Sequence, residues 1–155
     1  WKQMLPFSAM GQGPVVVSPF HMARVSAAIA SGGMLPQGRW LQGSANDRTE
    51  PPQRILDERQ AEFLANAMRA VVTRGTGRAA MAGLDVPVAG KTGTAQTTGD
   101  PHSWFTGFAP ADVPADRRIA FAVVVEHGGY GARAAGPVAR EIVAAALDLG
   151  LIVKR

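Results

Sequence analysis

A run of seven apolar residues, Ile119–Val125, constrains the fold of this chain more than any other feature. The run contains four β-branched residues and no charge, which is typical of a strand whose two faces are both covered. It is the third of three extended segments, which we place at about residues 85–96, 103–109 and 118–126. Turn-forming residues separate them, with Gly99, Asp100 and Pro101 in the first link and residues 110–116 in the second. The sequence therefore predicts a three-stranded antiparallel meander.

Three amphipathic segments predict helices that pack on this meander, at about residues 19–31, 57–74 and 137–149. Ser18 followed by proline marks the start of the first helix, and Asp57 with Gln60 resembles a capping box for the second. Helices before the strands and one helix after them predict an α+β fold. Elsewhere we expect a strand-like or irregular excursion over residues 34–54, and a short helix or a loop over residues 76–84.

The composition is that of a folded globular domain, with 155 residues of which 46% are hydrophobic and 18% charged. No apolar stretch approaches the roughly 20 residues of a membrane-spanning helix. The net charge is +4, and the 13 arginines are scattered along the chain. A nucleic-acid binder more often shows a clustered basic stripe, so we expect no nucleic-acid partner. The absence of cysteine excludes disulfides and thiol nucleophiles.

The only internal lysine of the chain lies in a segment of small and hydroxyl-bearing residues, Val-Ala-Gly-Lys-Thr-Gly-Thr-Ala-Gln at 88–96. A lone ammonium on a strand of small residues suggests an anion site or a catalytic amine. The alternative is a solvent-facing turn that carries one surface charge. The segment by itself leaves both interpretations of Lys91 open.

The histidines His21, His102 and His127 show no metal-ligand spacing with one another or with a carboxylate. We therefore expect no metal site and no cofactor. Gly11 and Gly13 are interpreted as turn glycines, because no helix follows them in the register of a phosphate-binding loop.

Lys91, Thr92 and Gly93 resemble the Lys-Thr-Gly motif of the penicillin-binding protein and serine β-lactamase family. The motif is short, but further segments that resemble the family stand around it in the family's order. They are Gly-Gln-Gly at 11–13, Ser-Pro-Phe-His-Met-Ala at 18–23, Ala-Ile-Ala-Ser-Gly-Gly at 28–33, Gly-Thr-Gly at 75–77, His-Ser-Trp-Phe at 102–105 and Phe-Ala-Pro at 108–110. The resemblance runs from about residue 11 to the last helix, and it is to the class B transpeptidases of high molecular mass.

This resemblance implies peptidoglycan cross-linking by serine acyl transfer, in which a serine attacks the D-Ala-D-Ala amide of a stem peptide or a β-lactam. Lys91 would assist proton transfer and attract the substrate carboxylate, which the hydroxyls of Thr92 and Thr94 would bind. Gly93 would leave room for a substrate beside the strand, and Trp104 would line the cleft wall. The backbone N–H of Thr94 would be one of two oxyanion-hole donors.

The chain departs from the family pattern at the nucleophile. The family carries Ser-x-x-Lys, and here no serine is followed by lysine three residues later. Ser44-Ala45-Asn46 is the only Ser-x-Asn sequence, and we interpret it as coincidence because the family's second motif precedes the Gly-Gln-Gly segment. We therefore expect residues 1–155 to be the C-terminal portion of one transpeptidase domain, with the missing half as a companion chain. Alone, residues 1–155 should form no acyl-enzyme, and strand 118–126 should lack its upstream neighbours.

Two further expectations rest on the resemblance alone. They are a membrane glycosyltransferase partner, and a position on the outer, periplasmic face of the bacterial cytoplasmic membrane through an upstream anchor. Two alternatives to the transpeptidase stay open. One is a non-catalytic β-lactam sensor or pseudo-transpeptidase that binds partner proteins, and the other is a β-lactamase or D-Ala-D-Ala carboxypeptidase of the same fold.

Overall fold

The computed structural model describes residues 4–38 and 51–154, which fold around a three-stranded antiparallel sheet. Numbered along the chain, the elements are helices α1 (Leu5–Ala9) and α2 (Pro19–Ala30), strands β1 (Met34–Leu35) and β2 (Gln53–Arg54), helix α3 (Glu58–Arg74), strands β3 (Ala89–Ala95), β4 (His102–Ala109) and β5 (Ile119–Val125), and helix α4 (Ala135–Asp148). A short 3₁₀ turn, Ala115–Arg117, precedes β5. The predicted α+β class and the predicted meander are confirmed.

Strand β4 lies between β3 and β5, so the strands neighbour one another in space as they do in sequence. The register places Lys91 opposite Thr106 and Gly93 opposite Trp104. On the other side of β4, Val124 lies opposite Trp104. Within the described part of the chain, neither β3 nor β5 has a strand on its second edge. These edges carry main-chain groups that another chain can bind.

Helices cover both faces of the sheet. Helix α4 packs on the face that carries Phe105, Phe121 and Val123, and its Val143 is completely buried there. Helices α2 and α3 pack on the opposite face, where Phe108 belongs to a second buried cluster. The prediction that β5 is covered on both faces is confirmed, because α2 and α4 both pack against it.

The predicted starts of α2 and α3 are confirmed at the level of hydrogen bonds. The hydroxyl of Ser18 accepts a bond from a backbone N–H in the first turn of α2 at 3.2 Å. Asp57 and Gln60 form the predicted capping box of α3, with reciprocal bonds of 2.8 and 3.0 Å. At the end of α2, Arg118 donates to the carbonyl of Ala30 at 2.8 Å, and burial lowers the pKa of this guanidinium.

Two boundaries differ from the predictions by more than one residue, and each lies close to a proline. The first long strand begins at Ala89 rather than near residue 85, because Pro87 has no N–H to contribute to a strand ladder. The last helix begins at Ala135, two residues before Pro137. Proline is tolerated in that first turn because the N–H groups there have no partner within the helix.

The excursion predicted over residues 34–54 contains β1 and β2, which pair antiparallel with Met34 opposite Arg54. Ser44-Ala45-Asn46 lies outside the described residues, so its interpretation as coincidence stays a prediction. Residues 76–84 form a series of turns, which confirms the loop alternative. No helix found in residues 4–38 and 51–154 is long and apolar enough to cross a membrane.

Helix α1 is absent from the predictions because no polar side chain caps its start. It ends in a Schellman motif, in which the N–H of Gln12 donates to the carbonyl of Phe7 at 2.8 Å and that of Gly11 to Ser8 at 3.0 Å. Gly11 has a φ of 79°, a conformation that disfavours any residue with a Cβ. The predicted glycine turn is therefore the C-terminus of a helix, and it fixes the main chain at Gln12.

Candidate active site

A cleft of about 520 Å³ runs along the open edge of β3, on the face of the sheet that α2 covers. Its floor contains residues 91–95 of β3 with Trp104 and Thr106 of β4, and Met10 and residues 15–17 form another wall. All five residues singled out from the sequence border this cleft: Lys91, Thr92, Gly93, Thr94 and Trp104. Of the two interpretations of the Lys91 segment, the geometry favours a binding site over an isolated surface turn.

Main-chain groups of alternate β3 residues point out of the sheet at its open edge. The ammonium of Lys91 donates to the carbonyl of Thr92 at 2.6 Å, and the side-chain amide of Gln12 donates to the carbonyl of Thr94 at 3.0 Å. Both carbonyls therefore face away from β4. The N–H and C=O of one residue in an antiparallel strand point to the same side, so the N–H of Thr94 also faces the open edge.

Lys91 carries an unneutralised charge at the edge of the cleft. It is exposed, and no carboxylate of the described residues pairs with it. The ion pairs in that part of the chain are Arg54–Glu58, Arg140–Glu141 and Lys154–Asp85. An ammonium that donates to one carbonyl still has two donors to offer. The position suits an anionic group of a ligand.

Gly93 and Trp104 shape the cleft face of the sheet between Lys91 and the end of β3. They are cross-strand neighbours, and a Cβ at Gly93 would lie 3.1 Å from the Cβ of Trp104. The absence of a side chain at Gly93 therefore keeps the face of Trp104 clear. Trp104 is half-buried and lines the cleft, so it contributes to the wall as well as to packing.

The hydroxyls of Thr92 and Thr94 each have a partner within the protein. The hydroxyl of Thr76 lies 2.6 Å from that of Thr92, and the N–H of Gly131 donates to the hydroxyl of Thr94 at 3.3 Å. A hydroxyl that accepts a bond keeps its own proton for donation. Thr94, together with one member of the Thr76–Thr92 pair, can therefore still donate to a ligand at the open edge of β3.

The predictions assign no role to Gln12, Thr76 or Gly131, which the structure brings onto β3. Gln12 makes two bonds there, because its amide also accepts from the N–H of Gln96 at 3.3 Å. Gly-Gln-Gly and Gly-Thr-Gly were visible in the sequence as segments. Their contacts with β3 could not be predicted from the sequence, because the bond from Gln12 to Thr94 spans 82 positions and leaves no local pattern.

The turn after β5 lies directly against β3 at Gly131. A Cβ on Gly131 would lie 2.2 Å from the carbonyl oxygen of Gly93 and 2.7 Å from that of Trp104. No heavy atom fits at those distances, so only glycine allows this approach. The close contact is what brings the N–H of Gly131 to the hydroxyl of Thr94.

Histidines close the other end of that turn. His102 lines the cleft, and its Nδ1 accepts a bond from the backbone N–H of His127 at 2.9 Å. The ring of His127 in turn lies 3.0 Å from the carbonyl of Asp100, and its φ is 52°. The arrangement is that of a structured turn. In the described ranges, no group of three or more potential metal ligands converges here or elsewhere.

Thr106 connects the floor of the cleft to helix α2 by hydrogen bonds. Its hydroxyl lies 2.6 Å from that of Ser26, which is 1% exposed. The same hydroxyl lies within hydrogen-bond distance of the carbonyls of Met22, at 3.3 Å, and Phe121, at 3.1 Å. The floor of the cleft is therefore tied to both α2 and β5.

Three serines of the described residues have structural hydrogen bonds. Ser18 caps α2, Ser26 bonds to β4, and Ser103 is fully buried and accepts from the first residue of α4 at 2.9 Å. Within residues 4–38 and 51–154, no serine hydroxyl is bonded to a lysine. The described residues that line the cleft therefore include no lysine-activated serine.

Comparison with known proteins identifies the relatives of this chain. The family model for the penicillin binding protein transpeptidase domain matches residues 5–144. Over 164 aligned residues, the chain is 35% identical to the peptidoglycan D,D-transpeptidase PbpA of Mycolicibacterium smegmatis. That alignment covers 94% of this chain and 32% of the relative, so the chain spans about a third of the relative's length.

Solved structures of penicillin-binding proteins share the fold. The imipenem acyl-enzyme complex of penicillin-binding protein A from M. tuberculosis superposes with a TM-score of 0.68 at 31% identity, over 92% of this chain and 34% of that one. A peptidoglycan synthase complex, described as coordinating polymerization and crosslinking, contains a chain that superposes with a TM-score of 0.80 at 31% identity. That superposition covers 94% of this chain and 26% of the other.

Proposed function

Because the chain belongs to the penicillin-binding protein transpeptidase family, we propose that it forms one wall of a peptidoglycan D,D-transpeptidase active site. The observation that carries the proposal is the position of Thr94. Its N–H faces the open edge of β3, in a cleft that also holds the ammonium of Lys91. An N–H aimed at a developing oxyanion is worth about 10²–10³ in rate. The ammonium beside it suits a substrate that ends in a carboxylate.

In this proposal a stem peptide ending in D-Ala-D-Ala adds to β3 as an antiparallel strand. Its scissile carbonyl lies at the N–H of Thr94. Its terminal carboxylate then lies toward Thr92 and the ammonium of Lys91, and its amino end runs toward Gln96. The hydroxyls of Thr92 and Thr94 donate to the carboxylate. The empty position above Gly93 admits the substrate chain beside Trp104.

The reaction is acyl transfer through a serine ester. The serine oxygen bonds to the carbonyl carbon of the penultimate D-alanine, and the amide C–N bond breaks so that the terminal D-alanine leaves with a proton. Lys91 assists delivery of that proton and balances the charge of the carboxylate. An amine of a second stem peptide then attacks the ester, which forms the cross-link and frees the serine.

We assign the nucleophile to a portion of the protein outside residues 1–155. The absence of Ser-x-x-Lys from the sequence supports this assignment, as does the 32% coverage of the M. smegmatis relative. Residues 1–155 are then the C-terminal portion of one transpeptidase domain. The remaining portion, as a companion chain or a continuous one, completes the cleft and pairs with the free edge of β5.

The wider setting follows from the same proposal. A membrane glycosyltransferase is the proposed partner, because the similar chain in the synthase complex takes part in coordinated polymerization and crosslinking. The outer face of the cytoplasmic membrane is the proposed location, because the M. smegmatis relative is a peptidoglycan enzyme. β-Lactams are proposed as covalent ligands, because imipenem forms an acyl-enzyme with the M. tuberculosis relative.

The function is tested by acylation of the complete protein with a fluorescent penicillin. We expect Lys91→Ala to slow the labelling by about a hundredfold, because the lost ammonium removes proton transfer and carboxylate binding together. Lys154→Ala is the matched control. Lys154 is exposed and bonds to Asp85, whose pKa it lowers, so its loss should leave the labelling rate unchanged.

Equal labelling rates in wild type and Lys91→Ala would contradict the assigned role of Lys91. A complete protein that takes no label under any condition would contradict the transpeptidase function and favour a non-catalytic binding protein. Intact mass separates these outcomes from poor detection, because each acylation adds the mass of one penicillin. Residues 1–155 alone should gain no such mass.

A further inference from the structure

Gln12 occupies the part of the β3 edge that lies next to Thr94. Its Nε2 donates to the carbonyl of Thr94 at 3.0 Å, and its Oε1 accepts from the N–H of Gln96 at 3.3 Å. In an added antiparallel strand, the N–H of the residue opposite Thr94 and the C=O of the residue two positions before it would use these same two groups. The side chain of Gln12 therefore takes the place of these two main-chain groups at this edge.

The main chain holds Gln12 in position for this contact. Its N–H is committed to the Schellman motif of α1, through the 2.8 Å bond to Phe7. Gly11 and Gly13 on either side have φ values of 79° and 84°. Glycine adopts these conformations at little steric cost, so the turn that presents Gln12 to β3 forms without strain. The contact of Gln12 with β3 is made entirely within this chain.

The two hydrogen bonds of Gln12 differ in whether the β3 group can still bond to a substrate. A carbonyl oxygen has two lone pairs, so Thr94 can accept a further bond from a substrate N–H while Gln12 stays in place. A backbone N–H has one hydrogen, so Gln96 cannot donate to a substrate carbonyl until Gln12 leaves. Main-chain pairing along β3 is thus open at Thr94 and closed at Gln96.

We propose that Gln12 is a positioning residue that ends the pairing between β3 and the acyl donor at Thr94. The inference rests on the proposed transpeptidase function. In an antiparallel pair the penultimate D-alanine lies opposite Thr94, and Gln96 faces the carbonyl two residues before it. The N–H of Gln96 cannot donate to that carbonyl, because it already donates to Gln12. The site thus recognises the main chain of a short donor segment, and the preceding residues of the stem peptide leave the strand.

The inference is tested on the complete protein with two acyl donors, N-acetyl-D-Ala-D-Ala and N-acetyl-Gly-D-Ala-D-Ala. The longer donor adds the carbonyl that Gln96 would bind and adds no side chain. We expect the ratio of kcat/KM, long to short, to be within about twofold in wild type. In Gln12→Ala the freed N–H of Gln96 should raise that ratio by about fivefold to tenfold. A ratio measured on one sample is independent of how much protein is folded.

Two further variants make the test specific. Gln53→Ala makes the same truncation on exposed strand β2 and should keep the wild-type ratio. Gln12→Glu keeps an oxygen at the N–H of Gln96 and removes the donor to Thr94, so its ratio should also stay near wild type. Because this variant keeps one of the two bonds, it also serves if Gln12→Ala does not fold.

The outcomes separate the inference from the proposed function. Equal ratios in wild type and Gln12→Ala overturn the inference and leave the function intact. A ratio that rises in Gln12→Glu overturns it as well, because Gln96 is still occupied there. A wild-type protein that reacts with neither donor overturns the proposed function, and with it the inference.

Discussion

Residues of β3 contribute to the candidate site through both their main-chain groups and their side chains. The main chain of Thr94 faces the open edge, and its hydroxyl accepts from Gly131. Lys91 reaches from the cleft face to the carbonyl of Thr92 at the same edge. Because side chains alternate between faces while main-chain groups alternate between edges, a seven-residue strand can present an N–H, a hydroxyl and an ammonium to one ligand.

The approach of Gly131 to β3 yields a prediction for Gly131→Ala. The new Cβ would lie 2.2 Å from the carbonyl oxygen of Gly93, so the turn must move away from the sheet and the bond to Thr94 is lost. We expect a loss of about 2–3 kcal/mol in the free energy of unfolding, measured by urea denaturation. Penicillin acylation of the complete protein should slow as well, because the position of Thr94 changes.

Gly129→Ala is the control from the same turn. Gly129 has a φ of 75° and open space around its Cβ position, so the substitution costs about 1 kcal/mol through backbone conformation alone. Its acylation rate should match wild type. If Gly131→Ala were no more damaging than Gly129→Ala in either measurement, the turn would not support the site.

Residues close in sequence were predictable at this scale, and residues brought together by folding were not. Lys91, Thr92, Gly93 and Thr94 stand in one short motif, and its resemblance to the family motif predicts that they share a site. The hydrogen-bond partners of Gln12 lie more than 80 positions away in the sequence. Its position also depends on the end of helix α1, which has no side-chain cap to mark it in the sequence. Nothing in the neighbourhood of Gln12 encodes these hydrogen bonds.

At the scale of elements, helix α2 and strand β4 are joined by a polar contact between the buried Ser26 and the partly buried Thr106. Burial of a hydroxyl is costly unless it is bonded, so the pair specifies how α2 lies on the sheet. The same contact supports the floor of the cleft, because Thr106 is one of its lining residues. Element packing and site geometry therefore depend on one pair of side chains.

A double-mutant cycle tests this contact. We expect Ser26→Ala to cost about 1 kcal/mol and Thr106→Val about 2 kcal/mol, since the latter leaves the hydroxyl of Ser26 buried without this partner. The double variant should be less destabilised than the sum of the two by about 1 kcal/mol in urea denaturation. As a control, Ser26→Ala combined with Thr73→Val on exposed α3 should be additive. Additive behaviour of Ser26 with Thr106 would show that the contact carries no coupling energy.

The elements themselves were predictable wherever a local signal marked their ends. Ser18 and the Asp57 capping box located α2 and α3, and the apolar run located β5. The start of β3 was placed about four residues too early, because the small apolar residues before Ala89 suit a strand and Pro87 removes the donor that a ladder needs. The pattern of apolar residues by itself does not show that a backbone N–H is missing.

At the scale of the whole molecule, the two open edges of the sheet have different proposed uses. The edge of β3 borders the cleft and is partly covered by Gln12. The edge of β5 has no partner strand within the described residues, and we propose that the rest of the transpeptidase domain pairs with it. The sheet in this chain would then be the middle and one edge of a larger sheet, with the nucleophile on the missing side of the cleft.

The crystal structure of the complete protein acylated by benzylpenicillin tests the proposed role of β3 most directly. We expect an ester on an upstream serine, with the adduct's carbonyl oxygen about 2.7–3.1 Å from the nitrogen of Thr94. We also expect the adduct's carboxylate to lie beside Thr92 and the ammonium of Lys91. An adduct whose carbonyl oxygen and carboxylate bind groups away from β3 would contradict the assignment of this strand as the receiving wall of the active site.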